Sequence, residues 1–136
     1  MRWVQRLVSR RAELDEAALA LPVLLLVSVG LVNLAMLGFA AISANNAANY
    51  GARMGSLAIA DPTGVAQTYA QRAIAATRVG QYAVTVSGGM QPGDLIAVTV
   101  TYRVPNYFGG LGRMFGIATP TEFRGTATAY FRREGW

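Results

Sequence analysis

The chain contains no cysteine and no histidine. The first absence excludes disulfides and a thiolate nucleophile. The two together exclude Cys/His zinc centres and an imidazole base. Lysine is absent too, so all 12 basic residues are arginines. Charge is scarce, at 14% of residues, where soluble domains carry about 25%. The shortage is concentrated: Ala17 to Ala52 holds no charged residue. What lies outside that run suffices for one small domain and not for two. The seven acids are spread along the chain, and the adjacent Asp15 and Glu16 point apart on a helix, so no acid–base pair forms. Gly88-Gly89, Gly109-Gly110 and Gly112 lack the strand–loop–helix setting of a phosphate cradle and read as turns. No enzyme activity, cofactor, metal or small-molecule substrate is expected.

The net charge is +5. Arg2, Arg6, Arg10 and Arg11 precede the hydrophobic run, and the other arginines are scattered except for the pair Arg132-Arg133. Without a basic stripe interleaved with aromatics, no nucleic-acid partner is expected.

Leu19 to Ile42 has only Ser28 and Asn33 as clearly polar residues. A helix rising 1.5 Å per residue crosses a hydrocarbon core of about 30 Å in about 20 residues, so this stretch is long enough to span a bilayer. Four arginines precede it, and the first after it is Arg53. By the positive-inside rule the N-terminus is cytoplasmic. The expected organisation is a cytoplasmic segment 1–16, a transmembrane helix 17–44 and an extracytoplasmic domain 45–136, single-pass in a bacterial inner membrane. The competing reading is a cleaved signal, with a cut near Ala41-Ile42-Ser43-Ala44. Against it, the run is longer than a signal's hydrophobic region, and Glu13, Asp15 and Glu16 are out of place in a basic leader.

Within the span, Pro22 lies near the cytoplasmic interface, where membrane helices tolerate proline. Ser28, Gly30 and Gly38 are small, and Asn33 is polar near mid-membrane. These four form a candidate helix-packing face for other membrane-protein subunits, because small residues permit close approach and an amide bonds across helices. The alternative for Asn33 is a bond to its own helix or to water. The lipid bilayer itself is the other partner.

Beyond the span, alanine-rich sequence without proline predicts one long helix from about Leu14 to about Ala60, ended by Asp61-Pro62. Asp61 or Thr63 caps a second helix, Pro62 to Arg78, with Val65, Tyr69, Ala73 and Ala76 on one face and Gly80 as its stop. Gln81–Ser87 and Leu95–Val104 alternate as strands around a turn-rich Gly88–Asp94. Thr121–Arg132 is a third strand. The Gly-rich Asn106–Thr119 between them has room for a short helix at Leu111–Gly116. Its aromatics Tyr107, Phe108 and Phe115 either plug a small core or form an exposed docking patch. The C-terminal Tyr130–Trp136 is a free tail or a partner contact. The fold class is α+β: a long N-terminal transmembrane helix, a second helix, and a three-stranded antiparallel sheet with one face on the helices.

A long helix, half in the membrane and half backing a small antiparallel sheet, is the pilin architecture. The sequence resembles the TadE-like family, small pseudopilin-like proteins of tight-adherence (Flp) pilus assembly. The resemblance is carried by Arg10-Arg11, then Glu16-Ala17-Ala18-Leu19-Ala20-Leu21-Pro22 and the leucines after it, then Asn45, Ala48 and Tyr50-Gly51-Ala52-Arg53. It covers roughly residues 10 to 58. It implies a structural role in a pilus assembly or secretion apparatus, and it makes Glu16 and Pro22 register or interface positions, Glu16 matching the glutamate that pairs with a neighbour's trimmed N-terminus. Where the family has its processed glycine this chain has Arg11, so trimming there is not expected; without a new amine to meet, Glu16 reads rather as a solvated interfacial carboxylate facing Arg10, Arg11 or lipid headgroups. The alternative role is an accessory structural subunit of another integral-membrane complex, such as an energy-transducing one.

Overall fold

The computed structural model describes residues 2–89, 91–114 and 116–134, with side chains from residue 16 onward except Met114. The element order is α1 (Arg2–Ser56), α2 (Pro62–Ala75), β1 (Gln81–Gly88), β2 (Leu95–Pro105), α3 (Phe108–Met114) and β3 (Glu122–Arg132). The strands form one antiparallel sheet in the order β1-β2-β3. The α+β architecture expected from the sequence is the one found.

The 55 residues of α1 are continuous through Pro22, a length of about 82 Å at 1.5 Å per residue. The helix ends at Ser56, short of Asp61-Pro62. Its last carbonyl accepts the Glu134 amide at 3.0 Å, and the Ser56 hydroxyl donates to the Arg53 carbonyl. The residues just after β3 thus close α1 before the proline is reached. Arg133 adds a guanidinium bond to the Ile59 carbonyl at 2.8 Å, and its backbone pairs with Gly93 and Asp94 in the β1–β2 turn. Residues 133 and 134 are therefore tied back to the domain, while Gly135 and Trp136 lie outside the described residues.

Ala44, Ala47, Ala48 and Ala52 recur on one face of α1 and are fully buried with Ala66 and Ala70 of α2 and Ile96, Val98 and Val100 of β2. α1 lies over β2 and β3, and α2 over β1. Inner-face pairs Val98 with Ala129, Val100 with Ala127 and Ile96 with Phe131 follow from the register. Strand alternation is as the sequence predicts, because period-2 patterning needs only local geometry.

The buried face of α2 differs from the expected one. Pro62, Ala66 and Ala70 are buried, while Ala73 and Ala76 are exposed and Val65 and Tyr69 half-buried. The reason is close approach. A Cβ added at Gly51 would come within 2.7 Å of the Ala66 carbonyl and the Ala70 methyl, and one at Gly55 within 2.7 Å of Ala66 and the Pro62 carbonyl. Only alanines fit opposite these glycines, so the larger side chains of α2 move to the flank. There Tyr69 meets Tyr50 edge-on, with centroids 5.6 Å apart, and Arg72 lies over the Tyr69 ring. Asp61 caps α2 by accepting the Gly64 amide at 3.0 Å, from a left-handed backbone with φ 45°.

Candidate functional site

One stripe of α1 runs unbroken from the hydrophobic run into the core. Ala18, Pro22, Leu26, Gly30, Asn33 and Ala40 continue the face that Ala44, Ala47 and Ala52 carry higher up, since helix positions three and four apart stack on one side. The upper part is closed by α2 and the sheet. In the middle, the described residues of the segment 106–121 meet α1 at Asn33 and Gly30. Below it the helix is bare: Leu19, Leu21, Val23 and Leu24 are each at least 60% exposed.

Asn33 is the anchor of this arrangement. It is 4% exposed. Its Nδ2 donates to Asn106 Oδ1 at 3.1 Å, and its Oδ1 accepts the Tyr107 amide at 3.1 Å. Asn106 Oδ1 also accepts the Phe108 amide at 3.0 Å, Asn106 Nδ2 donates to the Pro120 carbonyl at 2.8 Å, and the Asn106 carbonyl accepts the Gly109 amide. Two asparagines thus satisfy the first amides of α3 and one carbonyl of the stretch leading into β3. Such a network is required because an unpaired buried amide costs about 1–3 kcal/mol.

Of the other residues singled out in the sequence, Gly30 faces Phe108, whose Cζ would lie 3.3 Å from an added Cβ. Ser28 donates to the Leu24 carbonyl of its own helix at 2.7 Å, and Gly38 has open space around it. Pro22 lines an open apolar groove of about 390 Å³ with Ala18, Leu21, Leu25, Leu26 and Leu111. Glu16 is exposed and begins the described side chains. Tyr107 is 53% exposed, Phe108 is half-buried, and Phe115 lies outside the described residues. The short helix sits three residues earlier than expected, at Phe108, because the Asn106 and Asn33 side chains cap its start. Asn106 was not singled out, and neither was its pairing with Asn33. The only signal was Asn33 itself, a lone amide in an apolar run with no partner nearby in sequence.

In the domain, burial pushes the Tyr82 phenol above its ordinary value, with Tyr102 adding to the rise and a Ser43 hydrogen bond opposing it. The Tyr82 hydroxyl donates to the Val79 carbonyl at 2.8 Å. Among the described residues no group of three acidic side chains gathers as a metal site. The long apolar helix contains one stretch, Glu16–Ser56, long and apolar enough to cross a membrane.

Residues 16–53 match the family model for TadE-like protein. The TadE-like match begins at Glu16 and ends at Arg53, inside the stretch on which the sequence shows its resemblance. It takes in the exposed apolar stretch of α1 above Glu16 and the alanine face that carries the sheet, and less than a third of the chain. No curated protein and no solved structure matches the chain.

Proposed function

We propose that the protein is a non-enzymatic, single-span component of a pilus assembly or secretion apparatus. The observation that carries this reading is where the TadE-like match falls: on one helix whose upper part is the spine of a small domain and whose stretch 17–27 is exposed, apolar and uncharged. A face of that kind is stable only in lipid or against other membrane helices. The N-terminal arginines favour a cytoplasmic start, an outer domain beyond the inner membrane, and other membrane subunits as partners. Ala40 and Ala44 are fully buried, so the proposed span 17–44 shares its upper end with the domain 45–136.

Purification of the full chain in mild detergent, followed by mass spectrometry of what accompanies it, tests the reading. Recovery of a pilus ATPase and its membrane platform is expected. Recovery instead of an unrelated integral-membrane complex would replace it with the accessory-subunit role.

A further inference from the structure

We propose that the segment 106–121 inserts into the acyl region of the leaflet facing the domain, alongside α1, with lipid chains filling the grooves beside it. The proposal rests on α1 being a membrane span. The charge-free run starts at Ala17, and the shortest span from there, about 20 helical residues, ends near residue 36; the longer span to residue 44 sets the same contacts deeper. On the shorter scale Asn33 lies about 5 Å below the upper boundary and Leu26 about 15 Å below it. The segment is held to α1 between these levels: Asn106 and Tyr107 on Asn33, Phe108 over Gly30, and Leu111 sharing groove linings with Leu26. Wherever α1 is in hydrocarbon at this depth, the segment is there with it.

Its chemistry suits that position. Ile117 is 58% exposed, and two grooves of about 390 and 530 Å³ with apolar walls lie along the segment, the second lined by Leu26 of α1 with Phe108, Leu111, Ile117 and Pro120. Lipid tolerates such backbone only when its polar groups are satisfied by protein. The amides of Asn106 to Gly109 are all bonded through Asn33, Asn106 and Thr121, and those of Gly116 and Ile117 go to the carbonyls of Arg113 and Gly112. Among the described residues of the segment, the Thr119 hydroxyl is the buried side-chain group left without a partner. Arg113 is the one charge between Asn106 and Thr121. Its Nε donates to the Gly109 carbonyl at 3.1 Å, one turn back toward Asn33, which carries the guanidinium toward the headgroups. The two asparagines thus supply the polar filling at the start of the segment, where it leaves β2 and enters α3.

The absence of cysteine makes the test clean. Single variants Ile117→Cys, Gly110→Cys, Leu24→Cys and Thr128→Cys of the full chain are labelled with a small fluorophore. They are reconstituted in phosphatidylcholine–phosphatidylglycerol vesicles containing brominated acyl chains, and quenching by bromolipid is compared with quenching by aqueous iodide. Labels at positions 117 and 110 are expected to be quenched by bromolipid as strongly as the label at 24, and several-fold more than the label at 128 on the outer sheet face. Bromolipid quenching at 24 with iodide quenching at 117 and 110 overturns the insertion and leaves the span standing. Iodide quenching at 24 overturns the span and the insertion with it. Protection of 117 and 110 from both quenchers means that protein covers the segment, and overturns the insertion.

Discussion

Asn33 and Asn106 stand 73 positions apart in the chain and share a hydrogen bond of 3.1 Å. The bond joins the apolar part of the long helix to the point where the chain leaves β2. It makes an amide in an apolar run a tertiary contact between the long helix and the small domain.

Asn33→Leu removes both bonds and leaves the Tyr107 amide and Asn106 Oδ1 short of a partner. The loss expected is about 1–3 kcal/mol, read as a lower midpoint in urea unfolding of the chain in mild detergent. Protease cutting between Asn106 and Thr121 is expected to rise, while membrane insertion stays intact. Unchanged cutting would show that the asparagine pair does not hold the segment.

Gly51→Ala forces a methyl against the Ala66 carbonyl and the Ala70 methyl. Overpacking of this kind costs about 1–3 kcal/mol, which outweighs the gain of about 1 kcal/mol from replacing a helical glycine. Gly38→Ala meets nothing within 4 Å and is expected to cause no loss. Thermal unfolding of the two variants side by side checks the contrast, and equal stability would show that the α1–α2 crossing is looser than described.

Asp61→Ala removes the acceptor for the Gly64 amide and puts a methyl-bearing residue at a positive φ. A loss of about 0.5–2 kcal/mol is expected from the cap alone. Asp61→Asn keeps an acceptor and tolerates the left-handed backbone, so it is expected to stay close to the parent in the same unfolding measurement.

Burial holds the Tyr82 phenol above its ordinary value, so the folded state retains this proton when the unfolded state has begun to lose it. The stability this contributes is full below the unfolded phenol's pKa, about 10. It falls as pH rises from there through the folded value. Alkaline titration of phenolate absorbance is expected to show a late component that Tyr82→Phe removes. Persistence of that late component in the variant would assign it elsewhere.

Legibility followed the range of the interactions. The three strands, their inward faces and the long helix were readable because alternation, alanine content and an uncharged run act over a few neighbouring residues. Helical spacing alone puts Val65, Tyr69, Ala73 and Ala76 on one face of α2 but does not say which face turns inward; contact with Gly51 and Gly55 selects the face of Ala66 and Ala70 instead. The end of α1 was misplaced because the group that closes it, the Glu134 amide, comes from the far end of the chain. The capping by Asp61 was readable, since an acid beside a proline at a helix start is a local signal.

The sequence by itself determined that this chain has an apolar helix able to cross a bilayer, a small α+β domain after it, and none of the residue types for thiol or imidazole chemistry. These follow from composition and short-range periodicity. Only the tertiary structure decided that the domain folds back along that helix as far as Leu26, because this depends on two asparagines meeting across the chain, and the hydrogen-bonding needs of a lone buried amide name no partner until the fold supplies one.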